Sequence, residues 1–149
     1  MSTPNDIILQ LQTQLKNSSH LSYVSDDKIF LGLRANFDAY PIICIEPLNL
    51  LDNAGSVMGI QYLKLKIALL AYIHMDTGDA EEGIADTSLN SVLKLENDIK
   101  KALDADLTLS GKVYDLNYGQ SAYDFSNYPL RGVQIEIELS FKQSAKTRT

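Results

Sequence analysis

The last long stretch of the chain alternates apolar and polar residues without interruption, and no other feature constrains the fold as strongly. Between Gly132 and Lys142 one side of the alternation is entirely apolar: Val133, Ile135, Ile137, Leu139 and Phe141. Side chains of a β-strand point to opposite faces in turn, so this pattern predicts a strand with one buried face. The fold must therefore supply partner strands and a layer that covers the apolar face.

A second long strand is predicted at residues 60–75. One face is apolar throughout: Leu63, Leu65, Ile67, Leu69, Ala71 and Ile73. The other face begins with Lys64 and Lys66 and then turns apolar at Ala68, Leu70 and Tyr72. That apolar end needs a cover, either a helix or another subunit, so these three residues are candidates for a subunit interface.

The polar faces of the two predicted strands carry opposite charges. Lys64 and Lys66 lie on the first strand, and Glu136 and Glu138 lie on the second. Opposite charges that face each other across a strand pair stabilise it by roughly 0.2–1 kcal/mol per pair. We therefore expect the two strands to be antiparallel neighbours with these charges on one face. We also expect Leu69 and Ile137 to be deeply buried.

Helical periodicity appears in two places. Residues 4–16 begin with a capping residue and Pro4, and residues 88–104 carry an apolar stripe that ends near Lys100 and Lys101. Short strands are predicted at Ile29 to Leu33 and at Tyr40 to Glu46. The stretch from Leu48 to Gly59, which contains aspartate, asparagine and glycine, is interpreted as a loop.

The chain is predicted to close on a hairpin at residues 112–142. Its first strand is expected at residues 112–118, followed by a long tyrosine-bearing connection that reaches Tyr128. Residues 143–149 form a basic tail that is expected to fray. These elements predict one α+β domain over residues 1–149. Its sheet should have about four to five strands, mostly antiparallel with a mixed arrangement left open, packed against two main helices.

Composition narrows the classes of function. The 149 residues are 45% hydrophobic and 21% charged, which is typical of a globular protein, and the formal net charge is −6. We do not expect an acidic chain to bind nucleic acid through the phosphate backbone, because such binding requires clustered lysine and arginine. No apolar run is long enough to span a membrane and no signal peptide begins the chain, so we expect a protein of the cytoplasm.

Motifs of catalysis are missing from the sequence. There is no phosphate-binding loop, dinucleotide fingerprint, nucleophile elbow or paired-cysteine zinc pattern. Cys44 lies among isoleucines and is interpreted as a buried apolar residue. His20 is expected in solvent, and His74 is interpreted as structural, with a histidine tuned by Asp76 or Asp79 as the alternative. We expect no enzyme, no catalytic residues, no cofactor and no metal.

An acidic loop is predicted at residues 76–83. It carries Asp76, Asp79, Glu81 and Glu82 but lacks the spacing of a calcium-binding EF-hand. A solvated loop is the simplest interpretation. Weak divalent binding and docking on a basic neighbour remain open, and these four residues are candidates for the rim of a subunit interface.

Tyrosines crowd into one part of the chain. Tyr114, Tyr118, Tyr123 and Tyr128 fall within a short stretch close to Arg131. Tyrosine is favoured at protein interfaces because it buries a large apolar ring and keeps a polar tip, so these five residues are interface candidates. They could equally be hairpin core and ordinary surface. Stacking on nucleic-acid bases is a third option, which the acidic surroundings disfavour.

The order of these features resembles a known family. A capped helix ends in IKKALDADLTLSGKVYDL, residues 99–116, and the chain closes on YPLRGVQIEIELSFKQ, residues 128–143. This resembles the tail terminator, or tail-completion (minor tail), proteins of long-tailed bacteriophages and related prophages. Asp106, Leu109 and Gly111 match a D-x-x-L-x-G pattern of that family, and the last strand matches its alternating apolar pattern. The acidic loop is a departure from the family pattern.

The resemblance implies a structural role. Such proteins assemble as a hexameric ring on the end of the tail tube, stop its polymerisation and present a surface to the head-side connector protein. Partners would be further copies of the chain, the tail tube protein and the connector, in a virion tail assembled in the host cytoplasm. DNA would pass through an acidic lumen without specific binding. Alternatives are a neck protein or tail-tube-like subunit of the same machine, or a small-molecule-binding module.

Overall fold

The computed structural model describes residues 2–33, 39–74, 91–126 and 129–144, with the side chains of residues 53–57 excepted. The helices and strands follow in chain order: α1 Pro4–Asn17, β1 Ile29–Leu31, β2 Ile42–Val57, β3 Ile60–His74, α2 Val92–Asp104, β4 Asp115–Asp124 and β5 Leu130–Ser144. Single 3₁₀ turns lie at Ser19–Leu21 and Asp26–Lys28. Within these described ranges, no helix is long and apolar enough to cross a membrane.

Helix α1 begins at a reciprocal cap. The Thr3 hydroxyl accepts from the Asp6 amide at 3.2 Å, and the Asp6 carboxylate accepts from the Thr3 amide at 3.3 Å. Pro4 occupies the first turn, where its missing N–H costs nothing. The buried face consists of Ile7, Leu11 and Leu15. The helix ends at Asn17, one residue beyond the predicted end.

Helix α2 begins after Ser91, whose hydroxyl accepts from the Lys94 amide at 3.3 Å. It ends at Asp104, as predicted. Residues 88–90, where the helix was expected to begin, lie outside the described residues. Its stripe of buried apolar residues packs on the sheet: Leu95, Ile99, Ala102 and Leu103.

The five strands form one sheet in the order β1-β2-β3-β5-β4. Strand β1 is parallel to β2, and the other three pairs are antiparallel, so the sheet is mixed. Both helices pack on one face, where their buried residues form one apolar core with residues of β1, β2, β3 and β5. The predicted α+β class, with a mostly antiparallel sheet and two main helices, is confirmed.

The centre of the sheet agrees with the alternation in the sequence. Strands β3 and β5 pair along their whole length, from Ile60 opposite Ser144 to His74 opposite Leu130. Leu69 and Ile137 are completely buried, as predicted.

The predicted charge pairing is also confirmed. The Lys64 and Lys66 ammonium groups lie 3.4 Å and 3.8 Å from the Glu138 carboxylate. The Lys64 and Lys66 side chains share the face opposite the helices with Glu136 and Glu138. These side chains are only partly buried, so the pairs add specificity of register more than stability.

The prediction of a loop from Leu48 to Gly59 is wrong. Strand β2 continues to Val57, and a two-residue turn at Met58 and Gly59 returns the chain into β3. Both turn residues have positive φ, 56° and 80°, the arrangement that matches the twist of a tight hairpin. Asp52, Asn53 and Val57 are aligned with residues of β3, so backbone hydrogen bonding to a partner strand overrides the poor strand propensity of the aspartate and asparagine.

The prediction of a long tyrosine-bearing connection after residue 118 is also wrong. Strand β4 runs from Asp115 to Asp124, so most of that segment is strand, and only residues 125–129 connect it to β5. The pairing shifts between Tyr118 and Ser121, where Gly119 and Gln120 form an irregularity. That extra length in one strand interrupts the simple alternation on which the prediction rested.

Candidate subunit interface

The sheet has two edges that differ in what covers them. On one side β1 pairs with β2 only from Ile43 to Ile45, so the rest of β2 extends beyond it. We call residues 46–52 the β2 edge. On the other side lies β4, and among the described residues no strand pairs with its outer side. Unpaired strand edges present free backbone donors and acceptors and favour pairing with another chain.

The β2 edge is unusually apolar for an exposed segment. Leu48, Leu50 and Leu51 each expose nearly half of their surface, and Met58 at the hairpin tip is 94% exposed. After the irregularity between Pro47 and Asn49 the leucines point to both sides of the sheet. Exposed leucines on an edge that no strand among the described residues covers are typical of a contact surface. The sequence interpretation missed them because it placed them in a loop, although the run Leu48 to Leu51 was a visible apolar signal.

The β4 edge is tied to helix α2 by tyrosine–carboxylate hydrogen bonds. The Tyr118 hydroxyl donates to Asp104 Oδ1 at 2.6 Å, and the Tyr123 hydroxyl donates to Glu96 Oε2. Burial and then the Asp104 bond raise the pKa of Tyr118, and the Glu96 bond, followed by burial, raises that of Tyr123. Both hydroxyls therefore remain protonated donors.

Glu96 collects several donors at a buried position. Burial alone would raise its pKa, but hydrogen bonds from Tyr123, Ser121 and Lys100 outweigh burial and lower it. The Lys100 ammonium lies 3.2 Å from the carboxylate. Glu96 thus stays ionised and holds β4 against α2, because charge-assisted hydrogen bonds are stronger than neutral ones.

A second carboxylate on α2 repeats this arrangement. Buried Asp98 accepts from the Tyr23 hydroxyl at 2.7 Å and from the Lys94 ammonium at 2.6 Å. Burial, and then the bond to Asp98, raises the pKa of Tyr23. The polar side of α2 therefore works within the subunit, as a connector between the β4 edge and the segment after α1.

The interface candidates on β3 lie on the face opposite the helices. Ala68 is buried, whereas Leu70 and Tyr72 are half-buried. The Tyr72 ring lies directly over Gly132, where an added Cβ would come within 2.6 Å of the ring. Glycine on β5 therefore makes room for this ring, which reduces the exposed apolar area at that end of the sheet.

The remaining candidates divide into three groups. Tyr114 and Tyr123 are exposed over about half of their surfaces, 52% and 50%. Arg131 is half-buried, and its Nε makes no hydrogen bond within the described ranges. The other five lie outside the described residues, as does the whole of the predicted acidic loop at residues 76–83: Asp76, Asp79, Glu81, Glu82 and Tyr128. Their roles stay predictions.

Cysteine and histidine side chains, which often act in catalysis or metal binding, do not form a cluster among the described residues. Cys44 is buried, His20 is exposed, and His74 lies beside the Tyr40 ring with 5.8 Å between centroids. In the part of the chain that the structure describes, no group of three or more histidine, cysteine, aspartate or glutamate side chains could hold a metal ion.

The fold and the edges together define an α+β protein built on one open mixed sheet, with helices on one face. Neither the protein-family models nor the curated protein sequences match the chain. The same fold occurs in a chain from the solved structure of the virion of a native gene transfer agent particle. The two chains superpose with a TM-score of 0.55 over 91% of this chain and 95% of that chain, at 11% sequence identity. At this identity the likeness is one of fold.

Proposed function

We propose that this protein is a structural subunit of a phage-like virion and that it caps the tail tube as a ring. The ring, a hexamer in the family that the sequence resembles, would end tail polymerisation and form the surface that joins head and tail. Its partners would be further copies of the chain, the tail tube protein and the head-side connector protein. It would act without catalysis.

The observation that carries this proposal is the fold shared with a virion chain over nearly the full length of both. The order of elements resembles tail terminators independently of that comparison, through the D-x-x-L-x-G pattern at Asp106 to Gly111 and the alternating last strand. The shared fold and the sequence pattern therefore both favour a structural protein of a phage-like virion.

The two sheet edges support head-to-tail assembly. In a closed ring each subunit presents one surface to one neighbour and a different surface to the other. The β2 edge and the β4 edge are different, lie on opposite sides of the sheet and carry exposed apolar or aromatic residues. Strand pairing between them would extend the sheet from subunit to subunit.

The charge of the chain supports a lumen through which DNA slides. A net charge of −6 per subunit repels phosphates, so DNA would pass a ring of such subunits without binding to it. The same repulsion acts between subunits, and added salt should favour assembly by screening it. Sedimentation of the purified protein across a salt and magnesium series measures this effect. A strict monomer at high concentration in every condition, also with tail tubes present, contradicts the ring.

Electron microscopy of particles that lack this protein tests the role in the tail. Overlong tails without heads identify a terminator. Normal tails beside heads that leak DNA identify a neck protein, and an absence of tails identifies a tail-tube-like subunit; these are the second candidates, because the fold comparison names a virion and no role within it. Restoring the gene from a plasmid is the control that assigns the defect to this chain.

A further inference from the structure

A half-buried arginine lies at one end of the sheet. Arg131 is near the start of β5, where it is aligned with Ile73 of β3. Side chains of a strand alternate between faces, so Arg131 is on the same face as the buried Val133, the face that the helices cover. Strand β4 ends opposite Gly132, and Arg131 therefore lies just beyond the last pair of that ladder. This position is away from the outer sides of β2 and β4.

The Arg131 guanidinium has no hydrogen bond and no ion pair among the residues that the structure describes. Its Nε atom is enclosed, but its two Nη groups are not, so a ligand can reach them. These groups carry most of the N–H donors of the side chain. A charge that is partly removed from water without a partner destabilises the folded subunit. The arrangement therefore suits an anion that comes from outside the subunit.

Two exposed aromatic side chains adjoin this arginine. One residue beyond the last pair of β4 and β5, the same register brings Phe125 opposite Arg131. Tyr123 is aligned with Val133, so it lies diagonally from Arg131 on the same face. Phe125 is 73% exposed and Tyr123 is 50% exposed. Arginine and aromatic residues are enriched at protein interfaces, and together they suit a carboxylate that has apolar neighbours.

The surrounding charges favour a protein carboxylate over a nucleic-acid phosphate. Phosphate backbones are bound by clustered lysine and arginine, and the chain has a net charge of −6. On α2, which packs over this face, Lys94 is paired with Asp98 and Lys100 is paired with Glu96. These lysines are neutralised within the subunit, so they do not extend Arg131 into a basic patch. A single arginine beside aromatic rings is matched by a single carboxylate.

We propose that Arg131, Phe125 and Tyr123 form a docking site for an acidic, apolar segment of another protein. The Arg131 Nη groups bind a carboxylate of that segment, and the two rings contact the apolar side chains beside it. The site lies at an end of the sheet, whereas the proposed ring assigns the outer sides of β2 and β4 to contacts between copies. The inference therefore goes beyond the ring and does not depend on it.

Peptide binding to the full-length chain tests the site. The probe is a short fluorescein-labelled peptide of alternating leucine and glutamate, and its counterpart carries glutamine in place of glutamate. Fluorescence anisotropy should show tighter binding of the glutamate peptide. Arg131→Gln should weaken that binding about tenfold or more, because a charge-assisted hydrogen bond is lost. Lys101→Gln removes the same charge from an exposed position on α2 and should have no effect. Equal or absent binding of the two peptides, or equal effects of the two variants, overturns the proposal.

Two further variants separate binding from folding. Phe125→Ala removes an apolar contact without changing the charge, so it should weaken both peptides by a similar factor. Arg131→Met removes the unpaired charge and keeps an apolar side chain, so the midpoint of urea unfolding should stay the same or rise. A clearly lower midpoint would show that Arg131 serves the fold of its own subunit, and it overturns the docking site.

Other occupants of the site give different results. Weaker self-association of Arg131→Gln in sedimentation assigns the site to a second copy, and binding of a labelled oligonucleotide that depends on Arg131 assigns it to nucleic acid. Peptide binding that begins only after Asp76, Asp79, Glu81 and Glu82 are neutralised shows that this chain supplies the carboxylate itself. Each of these outcomes overturns the proposal of an acidic segment from another protein. Unchanged self-association together with a glutamate preference that depends on Arg131 supports it.

Discussion

The two edges of the sheet use their exposed side chains differently. On the β4 edge, Tyr118 and Tyr123 look like a binding surface in the sequence, yet their hydroxyls are bonded to carboxylates of α2. On the β2 edge, Leu48 and Leu50 are exposed about as much as Tyr123 and, being aliphatic, form no such hydrogen bond to α2. The comparison teaches that the hydroxyl of an exposed tyrosine can stabilise its own subunit, so exposure alone does not identify an interface.

The difference between the two edges predicts that substitutions on one edge affect stability and substitutions on the other affect assembly. Substitutions on the α2 side of β4 should destabilise the subunit, because they break hydrogen bonds at a partly buried position. Substitutions on the β2 edge should leave the subunit stable and change its association. Four predictions test this separation on one scale, the free energy of unfolding.

The largest effect is expected in the strand that joins the two halves of the sheet. Ile137 on β5 is completely buried and lies opposite Ile67 on one side and Tyr118 on the other. Ile137→Ala should reduce the free energy of unfolding by about 2–5 kcal/mol, measured by urea titration. Ile137→Val should cost about 0.5–1.5 kcal/mol. A loss under about 0.5 kcal/mol for alanine would show that the core lies elsewhere.

The next effect concerns the connection between α2 and β4. Glu96→Ala leaves the donors of Tyr123, Ser121 and Lys100 without their acceptor, so it should reduce the free energy of unfolding by about 1–3 kcal/mol. Asn97→Ala, at an exposed neighbouring position, should change it by less than about 0.5 kcal/mol. If both variants unfold alike, the β4 edge does not depend on Glu96, and the contrast between the edges fails.

Acid should weaken the same connection by a smaller amount. The pKa of Glu96 is lowered in the folded protein, so its contribution to stability is present above the ordinary value of 4.5 and is lost as the pH falls through the folded-state pKa. Denaturant titrations at a series of pH values should show a steeper acid loss for the wild type than for Glu96→Gln. Identical slopes would mean that this carboxylate does not hold β4.

The smallest effect on stability is expected at the β2 edge. Leu50→Lys places a charge on an exposed edge, a device by which natural sheets prevent pairing. The free energy of unfolding should change by less than about 0.5 kcal/mol, while association measured by sedimentation should be lost. Leu93→Lys, on the exposed side of α2, adds the same charge outside both edge strands and should leave association intact. Association that survives Leu50→Lys removes the β2 edge from the interface.

Much of the layer structure could be predicted because it depends on near neighbours in the chain. The alternation in β3 and β5 and the cap at Thr3 each carry their own local signal. The distant pairing of Lys66 with Glu138 could be predicted because the alternation had already assigned both residues to the polar faces of strands. The strand at residues 48–57 could not be predicted in this way. Its aspartate, asparagine and glycine favour turns, and its pairing with β3 becomes visible only when the hairpin has formed.

The candidate interface likewise has features that the sequence predicts and features that only the tertiary structure reveals. The sequence by itself determined a helix-covered sheet with one apolar face, since a period of two and a period of 3.6 are set by backbone geometry. It also determined which residue types could form contacts. Only the tertiary structure decided that the Tyr118 and Tyr123 hydroxyls donate to carboxylates of α2, and that Leu48 to Leu51 lie on a part of β2 whose outer side pairs with no strand among the described residues. Those outcomes depend on which distant residues meet, and hydrogen-bond partners far apart in the chain leave no local pattern.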